Sequence, residues 1–245
     1  MRCLEFSGAT GRSERRPAPR SRGVSAAAAG CLISLEGGEG SGKSSQCRLL
    51  LDWLAGLGVR TTSVREPGGT EAGERLRAML LDPSLPILRP ETEVLLFAAA
   101  RAEAVAEIVR PALAAGEVVV CDRFVDSSLA YQGFGLGADL GFIRMVNTAA
   151  TGGLRPVLTV LLDVPPAVGA RRRAARGRSD RVEMRGTPFH SAVREGYLRL
   201  AAGEPERFAV VDGTGSMEAV QAAARRAVLG ALRRCGHPVF GGADG

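Results

Sequence analysis

Of the 32 basic residues in this 245-residue chain, one is a lysine, Lys43. It stands in Gly37-Gly38-Glu39-Gly40-Ser41-Gly42-Lys43-Ser44, which matches G-x-x-x-x-G-K-S throughout. A loop of this kind turns successive backbone N–H groups toward phosphate oxygens. An ammonium on a flexible stem can curl under a β/γ-phosphate pair, where a planar guanidinium fits poorly. The pattern predicts that Gly37 through Ser45 bind a nucleoside triphosphate, ATP, and that the Ser44 hydroxyl ligates Mg²⁺. The bland alternative is a glycine-rich turn carrying a surface lysine.

Other polar residues fall where strands should end. Asp122 directly follows the apolar run Val118-Val119-Val120-Cys121. An acid there faces the phosphates and either holds Mg²⁺ through water or acts on the acceptor; a solvated strand-end turn would give the same Asp-Arg pair. Arg123 beside it can grip a phosphate bidentately. Glu36 ends the first strand one residue before the loop. Arg171, Arg172, Arg173, Arg176, Arg178 and Arg181 put six arginines into eleven residues, which repel one another unless anions visit. Such a flap can close over transferring phosphates and exclude water; a solvated basic helix is the alternative. Phe97 and Arg101 lie four apart on one helical face, so the ring could stack on a base and the guanidinium bond its carbonyl edge, or Phe97 could be core.

These residues need a scaffold. Cys31–Leu35, Val59–Val64, Glu117–Cys121, Pro156–Leu162 and Phe208–Val211 read as five short strands. The intervening stretches read as helices from Ser44 to an end at Leu57-Gly58, and over Glu71–Leu81, Glu91–Ile108, Pro111–Ala115, Phe142–Ala150, Pro166–Arg176, Phe189–Ala202 and Met217–Leu232. Val94, Leu95, Ala98 and Ala102 are expected on a buried side, and Gly177–Pro188 as a mobile segment. Buried strands joined by helical crossovers make a parallel α/β sheet with both faces covered and ligands at the carboxyl ends.

The length suits one α/β core. The net charge is +6, of which +4 falls in residues 1–30 (six arginines, two glutamates), so the remainder is nearly neutral and argues against a nucleic-acid groove. Residues 1–28 are expected to be a disordered basic extension; an organelle-targeting peptide and a nucleic-acid arm are the other readings. Residues 29–235 form the expected domain, with a lid at about 173–187 and a flexible tail over 236–245. No long apolar stretch predicts a membrane span. Five cysteines show no metal spacing and suit buried thiols in a reducing compartment, and two distant histidines match no ligand pattern.

Taken in order, Leu35-Glu36-Gly37 with its loop, Arg65-Glu66-Pro67-Gly68-Gly69-Thr70, Leu96 through Arg101, Asp122-Arg123-Phe124, Ser127 through Gly133 and Asp180-Arg181 resemble bacterial-type thymidylate kinases over about residues 31–232. The resemblance implies a five-stranded parallel nucleoside-monophosphate kinase fold and transfer of the ATP γ-phosphoryl group to dTMP, in a cytoplasmic homodimer. By similarity, Phe97 stacks on thymine, Arg101 bonds its O4, and Arg77 and Arg123 grip the dTMP phosphate. Ser128 helps read the base, Tyr131 lies under the deoxyribose, Gln132 belongs to the substrate loop, and Arg65 sits in the same site. Glu36 and Glu183 flank substrate or metal. Another nucleotide or nucleoside kinase, or a non-enzymatic P-loop switch, is the alternative.

The variable loop positions Gly38, Glu39, Gly40 and Ser41 include no arginine, whereas the flap is rich in them. This is similar to the bacterial lid-arginine arrangement of that family, which implies that charge developing on the transferred group is met by lid arginines, Arg176 first, with Arg178 or Arg181 able to share the task. Arg176→Ala should therefore lower kcat far more than it weakens dTMP binding. Steady-state kinetics check this: kcat within about twofold of wild type for alanine at all three positions overturns the lid mechanism.

Overall fold

The computed structural model describes residues 30–175, 177 and 180–237. The extension over 1–28, the tail beyond 237, Arg176 and Arg178 lie outside the described residues. The five apolar runs form strands β1 (Cys31–Glu36), β2 (Thr61–Arg65), β3 (Val118–Asp122), β4 (Leu158–Asp163) and β5 (Phe208–Asp212), all parallel in the order β2-β3-β1-β4-β5. Every residue of β1 is buried, as expected of a central strand covered on both faces. Registers pair Leu35 and Arg65 with Asp122, and Asp163 with Asp212, so the strand-end polar residues line up along one edge.

On one face, helices α1 (Lys43–Gly56) and α9 (Met217–Arg234) seal β1, β3 and β4 through Leu50, Leu54, Val228 and Leu232. On the other face, a π-helical stretch (Val105–Val109) and α4 (Arg110–Ala114) cover Leu32, Val64 and Val119. The expected single helix over 91–108 is thus α3 (Pro90–Ala104) running into that π-helical stretch. Leu95 is a correction: it is 52% exposed, whereas Val94 and Ala98 are buried.

Helices α2 (Glu71–Leu81), α5 (Val125–Ser128), α6 (Leu140–Thr151), α7 (Pro166–Ala174) and α8 (Thr187–Gly203) complete the described elements. A second π-helical stretch, Leu129–Gly135, extends α5, so the Ser127–Gly133 polar group rides on helical backbone rather than on an open loop. Residues 180–185 are not left without contacts. The Arg181 N–H donates to Leu81 O at 3.3 Å, its Nε to Leu80 O at 3.0 Å, and its guanidinium pairs with buried Glu93 at 2.8 Å.

Helix α7 begins directly against the glycine loop. A Cβ on Gly40 would lie 2.4 Å from Gly169 O, and one on Gly169 would lie 2.3 Å from Glu39 O. Both obstacles are backbone, which no rotamer change relieves. Gly169→Ala should push α7 off the loop and destabilise by roughly 1–3 kcal/mol. Gly56, with nothing within 4 Å of an added Cβ, supplies the neutral control. Thermal unfolding checks this: equal midpoints for the two alanine variants would overturn the close-contact reading.

Candidate active site

Gly42 enters α1 with φ 94° and has no side chain to cap the helix, so first-turn N–H groups stay open to an anion. Gly37 and Gly40 also have positive φ, and a Cβ on Gly37 would lie 2.5 Å from Leu162 O. Lys43 folds back over this loop, donating from Nζ to Gly37 O at 3.0 Å, Gly38 O at 2.9 Å and Ser41 Oγ at 3.3 Å. Ser44 Oγ donates to Asp122 Oδ2 at 2.6 Å.

Arg123 is the one non-glycine residue with positive φ, 77°, among the described residues. Such backbone costs about 1–3 kcal/mol and persists only where neighbours over-determine it. Here they do. The Arg123 N–H donates to Leu35 O at 3.1 Å, and the Phe124 N–H donates to Glu36 Oε1 at 2.7 Å. Glu36 Oε2 accepts from Ser127 Oγ at 2.6 Å and from the Tyr197 hydroxyl at 2.8 Å. The turn sends the guanidinium back across the sheet edge. There Nη1 donates to Gly37 O at 3.2 Å and Ser127 Oγ at 3.2 Å, while Nη2 donates to the Tyr131 hydroxyl at 3.0 Å and to the Glu39 carboxylate.

Two cavities meet at this guanidinium. One, of about 750 Å³, is lined by the loop (Glu39, Gly40, Gly42, Lys43, Ser44, Ser45) together with Arg65, Arg77, Asp122, Arg123, Asp180 and Glu183. The other, of about 580 Å³, is lined by Phe97, Arg101, Ser128, Tyr131 and Gln132 with Arg77 and Arg123. Glu39, Glu66, Arg77, Arg123 and Asp180 line both. Within the second cavity, buried Arg101 donates from Nε to Glu66 Oε2 at 2.7 Å, from Nη1 to Ser128 Oγ at 3.0 Å and to Asn147 Oδ1, and from Nη2 to Phe124 O at 3.1 Å. Arg77 Nη1 donates to Pro67 O at 2.8 Å.

A thymidylate kinase family profile matches residues 35–224. The chain belongs to the thymidylate kinase family. It is 48% identical over 209 residues to a thymidylate kinase of Geotalea uraniireducens, covering 83% of this chain and 98% of that one. It is 50% identical over 203 residues to one of Symbiobacterium thermophilum, covering 83% and 94%. The crystal structure of an Ehrlichia chaffeensis thymidylate kinase superposes with TM-score 0.67 at 30% identity, over 81% of this chain and 98% of that one. The fold is the P-loop nucleoside-monophosphate kinase fold, and the chain is an enzyme, an ATP-dependent dTMP kinase.

Set against this family's motifs, most of the expected site residues gather at the two cavities, but two do not act as expected. Glu36 lines neither cavity; it is fully buried and braces the Asp122-Arg123-Phe124 turn. Arg181, proposed to share the lid's work, is committed to Glu93 and Leu80 O. The arginine cluster is also partly relieved by carbonyls: Arg172 donates to Gly213 O at 3.0 Å and Arg173 to Glu39 O at 3.2 Å. Residues the sequence reading passed over include Glu66, Ser127, Asp180 and Tyr197. Glu66 and Asp180 were inside quoted motifs and Ser127 inside a polar run, whereas Tyr197 sits in an ordinary amphipathic helix and carried no signal.

Charges in this thymidylate kinase site are unevenly perturbed. Burial alone would raise the Glu39 carboxyl, but Arg123, Lys43 and the Tyr131 hydroxyl outweigh it and bring its pKa down to about 2. Burial, then the Arg123 charge, lowers the Lys43 ammonium, with Glu39 opposing. Burial and then the Asp126 charge push Glu36 up to about 7 from 4.5. A carboxyl whose folded pKa exceeds its unfolded one binds its proton more tightly when folded. Its stabilising contribution is therefore full below about pH 4.5 and is lost as pH rises through about 7. Glu36→Gln should remove that dependence, with the wild type losing up to roughly 3 kcal/mol relative to the variant across this window. Denaturant midpoints across the window check it; parallel pH curves would overturn the assignment.

Proposed function

We propose that the loop-lined cavity takes ATP with Mg²⁺, and the Phe97–Arg101 cavity takes dTMP. The observation that carries this reading is that the cavities share Arg123, Arg77 and Glu39, so two bound anions would meet end to end. Lys43 would exchange Gly37 O, Gly38 O and Ser41 Oγ for β- and γ-phosphate oxygens. Phe97 would stack on thymine, with Arg101, Ser128 and Gln132 around the base and Tyr131 under the sugar. Arg123 and Arg77 would hold the acceptor phosphate, with Arg65 and Glu183 beside the phosphate path and Glu36 behind it as a brace. Arg176 remains the proposed lid cation.

The Ser44 and Asp122 oxygens, 2.6 Å apart at the cavity edge, suit a magnesium ion that keeps most of its water and is held by few protein ligands. Bound there, the ion would neutralise phosphate charge. An oxygen of the dTMP phosphate attacks the γ-phosphorus, the bond to the β-bridging oxygen breaks, and ADP leaves. The acceptor is already an anion, so no general base is required. The protein's task is in-line alignment and charge neutralisation.

A homodimer packed through helices is part of this reading, since Leu95 on α3 and Met145 on the adjoining α6 are 52% and 63% exposed. So is a cytoplasmic setting: no described helix is long and apolar enough to cross a membrane, and the described cysteines form no disulfide.

ADP release measured with dTMP, dUMP, dCMP, AMP and GMP tests the acceptor, with dTMP expected to be fastest and the purines inert. Lys43→Met should keep the fold and lower kcat by about 10²–10³-fold. Near-normal turnover in that variant, or a purine preference in the wild type, would overturn the reading.

A further inference from the structure

Asn147 lies in the middle of α6, where asparagine is a poor helix former, and is 5% exposed. It does not line the base cavity. Its side chain is fixed at both ends: Nδ2 donates to Ile143 O at 2.8 Å, and Oδ1 accepts from Arg101 Nη1. A guanidinium has five N–H donors. In Arg101 four are taken, by Glu66, Ser128, Asn147 and the Phe124 carbonyl, which come from three chain segments. The fifth, on Nη2, has no acceptor among the described residues, and Arg101 lines the cavity.

We infer that Asn147 is a positioning residue that locks the Arg101 guanidinium so that a single donor reads the 4-position of the pyrimidine. It thereby sets discrimination between 4-oxo and 4-amino bases. The inference rests on the reading of this cavity as the base site. One fixed N–H donates to a carbonyl oxygen and opposes an amino group, and a site built to hydrogen-bond discriminates strongly only while its donor cannot turn away. Glu66 and Phe124 O hold the Nε and Nη2 side. Asn147 and Ser128 hold Nη1. Removing the Asn147 acceptor leaves a buried N–H unpaired, and the guanidinium relieves this by rotating toward the remaining acceptors.

The test measures kcat/KM for dTMP, dCMP and dUMP in wild type, Asn147→Leu and Asn147→Asp. The leucine removes the acceptor. The aspartate keeps an oxygen for Arg101 but sets a second acceptor against Ile143 O and adds a buried charge, so it carries the cost to the helix without losing the Arg101 acceptor and separates positioning from a plain helix-stabilising role. Asn147→Leu should lower the dTMP:dCMP ratio about tenfold, mainly through KM for dTMP. KM for ATP and the dTMP:dUMP ratio should stay within about twofold, because dUMP presents the same 4-oxo group. Asn147→Asp should keep the wild-type dTMP:dCMP ratio. If Asn147→Leu fails to fold, Asn147→Ala reads the same ratio without added bulk. An unchanged ratio in the acceptor-less variant, or an equal loss in both variants, overturns the inference. Absence of dTMP turnover in the wild type would instead overturn the substrate assignment, and this inference with it.

Discussion

The buried carboxyl of Glu36 ties the end of β1 to two segments that sequence places far away. Its two oxygens hold the Phe124 amide at the end of β3, the Ser127 hydroxyl at the start of a helical run, and the Tyr197 hydroxyl from α8. Through the first of these it fixes a left-handed residue whose guanidinium lies between the two cavities. A single acid one residue ahead of the phosphate loop thus aligns loop, turn and helix to one another. A buried polar network is tolerable only when it is satisfied, and this one is.

The site is organised before any ligand arrives. Lys43 is held by loop carbonyls, Arg123 by Glu39 and Tyr131, and Asp122 by Ser44. Each contact is of a kind that a phosphate or a hydrated cation can replace without moving the backbone. Little reorganisation is then left for the reaction itself, which is how fixed dipoles and charges act most strongly on a transition state.

Much of this was legible from residues alone. The apolar runs located all five strands, because a parallel strand buried on both faces needs continuous apolar sequence. The glycine loop was legible because its glycines answer to backbone geometry and its lysine to charge. What escaped has physical causes. Leu95 read as buried because periodicity marks an apolar face but not what covers it. The helical turn over Leu129–Gly135 was hidden by its glycines and tyrosine, which are weak helix formers. Arg181 and Arg123 are the same residue type in similar motifs. Only packing shows that Arg181 is spent on Glu93 while Arg123 reaches the cavities. Tyr197 and Asn147 reach across the fold to hydrogen-bond partners distant in sequence, and no local pattern encodes such a partner.

The solitary lysine also has a chemical consequence for handling the molecule. Apart from the chain's amino terminus, Lys43 is the one aliphatic amine, and it lies in the phosphate loop at 7% exposure. Any acylation of a lysine side chain in this protein is therefore an event at the loop. With the amino terminus already blocked, intact mass reports it without peptide mapping, and a triphosphate lodged in the loop would register as protection from the reagent. Proteolysis by a lysine-specific protease likewise has one site, inside the machinery it would disable.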